Sequence, residues 1–142
     1  MPGILVGIDG SDHSRKALEW AVHEAGVRGT SLTVLAVHQV AANHWTGNPE
    51  TYPSDAPETD MVRQAAEDAV QKAVSQVGGP APASVTVRAV TGVAAHELVA
   101  ASADADLVVV GSHGGGGFFR KALGSTSSQV ASHSAAPVVV IR

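Results

Sequence analysis

Short apolar runs alternate along this chain with longer stretches of helical period. The runs Ile4 to Ile8, Leu32 to Val37, Val85 to Val90, Leu107 to Val110 and Val138 to Ile141 predict five strands. Their Val, Leu and Ile content suits strands covered on both faces, as in a parallel sheet. Between the first two runs, a helix is predicted from about His13 to Ala25, with Leu18, Ala21, Val22 and Ala25 on one face and Ser11 or Asp12 placed to cap it. A second helix, from about Asp60 to Val77, turns Val62, Ala66, Ala69, Ala73 and Val77 to the sheet. A third, about Val93 to Ala103, presents Leu98 and Val99, and a fourth opens at Gly124-Ser125 and stops before Pro137. Strand and helix in strict alternation predict an α/β fold, a single doubly wound, Rossmann-like domain with a mostly parallel sheet and four helices.

One stretch breaks the rhythm. Residues 39–59 read QVAANHWTGNPETYPSDAPET, rich in Pro, Asn, Asp and Thr, with Trp45 and Tyr52 interspersed. A connection this long in a small domain is either functional or disordered. Following the second strand, it leaves the carboxyl edge of the sheet, where open α/β sheets bind ligands. It reads as a flexible loop, either a flap over a site or a plain excursion.

Composition narrows the class. With 142 residues, the whole of 1–142 is expected to form one domain with a real core. The net charge is −4 and the nine Lys and Arg are scattered, so a basic face for nucleic acid is not expected. There is no cysteine, hence neither a disulfide framework nor a thiolate metal site. No apolar run is long enough for a membrane span, and the opening MPGILVGIDG lacks the charged and hydrophobic regions of a leader. A soluble cytoplasmic protein is expected.

The chemistry concentrates at two glycine-rich places. Gly111-Ser112-His113-Gly114 follows the fourth strand directly, and after nine residues comes Gly124-Ser125-Thr126-Ser127-Ser128. Glycines let backbone N–H groups approach an anion, and a helix start adds unpaired donors and the positive end of its dipole. Together they form a phosphate cradle. The first strand leaves through Ile8-Asp9-Gly10-Ser11. If the strand order reverses between the first and fourth strands, Asp9 faces the glycine loop across a crevice, where its carboxylate can accept hydrogen bonds from ribose or help hold a metal. The plainer reading is that Asp9 supports the Gly10-Ser11 turn and caps the helix. Neither standard nucleotide signature is met: no lysine follows Gly124 in the P-loop manner, and Phe119 or Arg120 stands where a dinucleotide fingerprint needs its third glycine. Arg120 and Lys121 either screen phosphates or are simply solvated. The seven histidines, His23, His96 and His133 among them, show no spacing that suggests a metal site. Trp20 reads as packing.

The spacing Gly-x-x-Gly, nine residues, Gly-[Ser/Thr] is met by Gly111, Gly114, Gly124 and Ser125. With the strand ending Ile8-Asp9-Gly10-Ser11 and the closing Ser134-Ala135-Ala136-Pro137-Val138-Val139-Val140, the chain resembles, over its whole length, the universal stress protein family in its ATP-binding branch. The resemblance implies a five-stranded parallel sheet of order 3-2-1-4-5, with ATP, or AMP or ADP, at the carboxyl edge and Mg2+ bound through the phosphates. It places Asp9 on the ribose, Val37 on adenine, and Val110 and Gly111 near base and sugar. It places Gly114, Gly124, Ser125, Thr126 and Ser127 on the phosphates, through backbone N–H and hydroxyl groups. It also implies a homodimer paired through the last strand, Val138 to Ile141, whose apolar edge would otherwise invite pairing. The departure from the pattern is the four-glycine run 114–117 before Phe118 and Phe119, which adds ordering entropy to binding.

ATP hydrolysis needs a positioned water, a base and charge stabilisation at the γ-phosphate, and beyond Asp9 no base is evident. The expected function is therefore an adenine-nucleotide-binding, stress-response regulatory protein without catalytic residues. The alternatives are a slow metal-dependent ATPase and a dimerisation module with an empty nucleotide loop.

Overall fold

The computed structural model describes residues 3–39, 55–112 and 125–142. Five strands and four helices alternate: β1 (Ile4–Ile8), α1 (Asp12–Arg28), β2 (Ser31–Gln39), α2 (Asp55–Val77), β3 (Ser84–Gly92), α3 (Ala94–Ser102), β4 (Leu107–Gly111), α4 (Ser125–His133) and β5 (Val138–Ile141). They form one parallel sheet of order β3-β2-β1-β4-β5, the expected doubly wound α/β domain.

The strand residues divide by parity, because successive side chains leave opposite faces of a strand. Ile4 and Val6 of β1, Leu32 and Val34 of β2, and Leu107 and Val109 of β4 pack with Leu18, Ala21, Val22 and Ala25 of α1 and Val70 and Ala73 of α2. Leu5, Leu35, Val37, Val108 and Val110 join the second cluster, with Leu98 of α3 and Val130 of α4. Both faces of the central strands are therefore apolar and covered, which is why their sequences show no polar alternation. Trp20 packs half-buried against the first cluster. β3 and β5 are the edges: β3 is exposed over its first half and every residue of β5 is half-buried.

Several boundaries differ from the sequence expectation. α1 runs on to Arg28 and ends at Gly29, whose φ of 65° is left-handed and whose N–H closes the last turn on Ala25 and Gly26 carbonyls. α2 begins at Asp55, not near Asp60, and β2 extends through Gln39, so both ends of the stretch 39–59 belong to regular elements. Pro57 hides the helix start from a sequence reading. In a first turn its missing N–H costs nothing, since those N–H groups have no acceptor within the helix. Residues 40–54 lie outside the described residues.

Candidate functional site

The order β2-β1-β4 makes β1 and β4 neighbours although their helices cover opposite faces of the sheet, and that is the switch point. β1 and β4 pair Ile4 with Leu107, Leu5 with Val108 and Val6 with Val109, and the same offset sets Ile8 level with Gly111. Both chains leave the sheet here on its carboxyl edge.

The β1 exit is a built turn. Gly10 has φ of 86°, a conformation L side chains rarely adopt. Ser11 N–H donates to Asp9 Oδ1 at 2.9 Å, an Asx-type turn, so Asp9 supports the turn but does not cap the helix. Ser11 is also the N-cap of α1, its hydroxyl accepting from Ser14 N–H at 3.2 Å. Ser14 is buried and binds the turn twice, accepting from Asp9 N–H at 3.2 Å and donating to Ser11 O at 3.0 Å. The Asp9 carboxylate remains exposed to solvent while its backbone is tied down. Sequence reasoning missed Ser14; the available signal was the Ser11-x-x-Ser14 spacing, a capping-box interval with serine in place of Glu or Gln.

The β4 exit is held from three sides. A Cβ on Gly111 would lie 2.9 Å from the backbone C and O of His13, so glycine is demanded here by the first turn of α1 resting on the strand end. Ser112 N–H donates to Ile141 O at 2.7 Å, fixing the exit to the last residue of β5. Ser112 O accepts from the hydroxyl of Ser127 in α4 at 3.1 Å, a buried bond. Ser112 Oγ is itself buried with no hydrogen-bond partner.

Of the residues expected to bind nucleotide, Asp9, Gly111, Ser125, Thr126 and Ser127 stand on elements that meet at this edge. Along α4, Ser125 is exposed, Thr126 half-buried and Ser127 only 2% exposed. Val37 and Val110 are 8% and 3% exposed, with side chains in the α3–α4 core. Gly114, Gly124, His113, Arg120, Lys121 and the run of glycines at 114–117 lie outside the described residues. Among the described residues no group of three or more His, Asp or Glu could hold a metal ion. No described helix is long and apolar enough to cross a membrane. A groove of about 350 Å³ lies between α1 and α2, lined by Ile8, Gly10, Ser11, Leu18, Ala65 and Ala69. It adjoins the Asp9 turn on the sheet face away from α4.

These features define a class: doubly wound α/β domains with a ligand crevice where the strand order reverses, one lip carrying a carboxylate and the other a hydroxyl-bearing helix start. Within it the chain belongs to the universal stress protein family, whose model matches residues 2–142. Universal stress protein Rv2005c of Mycobacterium tuberculosis is 37% identical over 141 residues, covering 98% of this chain and 47% of that protein. The chain thus spans about half the length of such relatives. Universal stress protein UspA from Lactobacillus plantarum superposes with a TM-score of 0.79 at 28% identity, covering 99% of this chain and 97% of that one. A universal stress protein solved in complex with cAMP superposes with a TM-score of 0.64 at 26% identity, covering 99% and 96%.

Proposed function

We propose that this chain binds an adenine nucleotide, ATP or else AMP or ADP, at the β1–β4 switch point, and that the bound state is what a stress-response pathway reads. The observation that carries the proposal is the meeting, at one sheet edge, of an exposed carboxylate on a tied turn with the exposed start of α4. Those groups fit the two ends of a nucleotide. A carboxylate accepts from ribose hydroxyls, and a helix N-terminus offers unpaired N–H groups and a positive dipole end to phosphate. The cAMP complex of a relative supports the adenine nucleotide class.

In this reading Asp9 holds the ribose, Val37 offers its small exposed edge to adenine, and Val110 and Gly111 approach base and sugar through the strand end. Gly114, Gly124, Ser125 and Thr126 hold the phosphates, with Mg2+ carried on the phosphates when present. The chain binds and orients; no residue is assigned a catalytic part. β5 stands at the sheet edge with an apolar, half-buried surface, which supports a homodimer paired through Val138 to Ile141. The lack of cysteine and of a basic stripe suits a cytoplasmic protein that does not bind nucleic acid.

The test is isothermal titration of ATP with magnesium into the nucleotide-free wild type and the double variant Gly114→Val/Gly124→Val, with folding of both checked by circular dichroism. Saturable binding that the folded variant loses is the expected result. A folded wild type that takes up no adenine nucleotide at millimolar concentration rejects the proposal.

A further inference from the structure

The family resemblance lists Ser127 with the phosphate ligands; the geometry gives its hydroxyl a different task. Successive residues of an α-helix are turned by about 100° about its axis, so Ser125 and Ser127 leave α4 on nearly opposite sides. Ser125 is exposed, whereas Ser127 is 2% exposed and faces the sheet. Its hydroxyl donates to Ser112 O at 3.1 Å, bridging fifteen residues of sequence. A serine hydroxyl has one proton to donate. Given to a carbonyl, it cannot also be given to a phosphate oxygen, which only accepts. The carbonyl is a fixed acceptor, because the same residue's N–H is bound to Ile141 O at 2.7 Å.

We propose, resting on the nucleotide reading above, that the Ser127 hydroxyl is a positioning group. It fastens the first turn of α4 to the β4 exit, so that the amides of that turn are held ready for phosphate without the hydroxyl touching it. Nucleotide affinity then depends on Ser127 in proportion to what the phosphates contribute, while the nucleoside part, held by the β1 lip, is indifferent to it.

The experiment uses wild type, Ser127→Ala and Ser127→Thr. ATP binding is measured by titration, adenosine binding by ligand-observed NMR, and amide hydrogen exchange on the nucleotide-free proteins at Gln129 and Val130, whose N–H groups close the first turn of α4 on its carbonyls. In Ser127→Ala, ATP affinity is expected to fall about three- to tenfold, the scale of one hydrogen bond, with adenosine binding unchanged and first-turn exchange faster in the free protein. Ser127→Thr, which keeps the hydroxyl, restores both. Lost ATP affinity with unaltered exchange makes the hydroxyl a direct ligand and overturns the proposal. Faster exchange with unaltered ATP affinity makes the bond a fold element only, and overturns it equally. A wild type that binds neither ATP nor adenosine removes the nucleotide reading and the positioning role with it, and faster exchange in Ser127→Ala then reports a structural bond alone. Should the threonine methyl prove too large for the site, Ser127→Ala by itself still separates these outcomes.

Discussion

Gly111 shows how one residue can satisfy two demands that look alike in sequence. It belongs to a glycine spacing that reads as a ligand motif, yet α1 already forbids a side chain there, since an added Cβ meets the His13 backbone at 2.9 Å. Backbone cannot yield as a flexible side chain can, so Gly111→Ala must push α1 from β4. It is expected to cost about 1–3 kcal/mol, the usual scale of overpacking. A urea melt of the nucleotide-free protein checks this, and a melt equal to wild type would show that the close approach relaxes freely. The contact joins positions 13 and 111, which no local pattern relates, so sequence alone could assign the glycine only to the motif. The same holds for Ser127 and Ser112.

At the level of elements, the β1–α1 junction was largely readable and its internal wiring was not. Ser11 was one of two expected caps for α1, and it is the one used. Ser14 carries no signal of hydrophobic periodicity, yet it fastens Asp9 from beneath and the turn from behind. Because the carboxylate supports the turn through one oxygen while standing in solvent, support and ligand binding are separable by substitution. Asp9→Asn keeps an oxygen to accept from Ser11 N–H, so stability should stay within about 0.5 kcal/mol of wild type, the range of ordinary surface changes. ATP affinity should fall about tenfold, the difference between a charged and a neutral acceptor. cAMP, which lacks a free ribose 3′-hydroxyl, should lose less. Titration of both nucleotides into the variant decides it; an equal loss for the two would remove Asp9 from the ribose. β1 and β5 begin and end where their apolar runs do. α2 starts earlier than its apolar period suggests, because a first turn containing proline is legible only once the helix behind it is known.

For the whole molecule the open question is what covers the β5 edge. Pro137 O accepts from Val108 N–H of β4 and Ile141 O from Ser112 N–H just after it, so alternation along the strand turns the N–H and C=O of Val138 and Val140 outward. A parallel sheet with such an edge is ready to accept another strand. Val140→Pro removes an outward donor without touching the ladder to β4, a placement proline tolerates. If the chain pairs through this edge as proposed, the wild type is expected to sediment as a dimer and the variant as a monomer, with its melting temperature lowered only slightly. An unchanged dimer would mean that the chains associate elsewhere.

The sequence by itself determined the class of fold and where its glycines and hydroxyls stand along the chain. Strands covered on both faces need unbroken apolar runs and the helices between them need one apolar side, and both requirements are local and visible. Glycines and hydroxyls at a strand exit and a helix start are local too. What only the tertiary structure decided was how those places are held: His13 against Gly111, Ser14 beneath Asp9, Ser127 on Ser112. Those contacts depend on strand register and on which helix face meets the sheet. A hydroxyl spent on a neighbouring carbonyl looks, in sequence, the same as one free for a ligand.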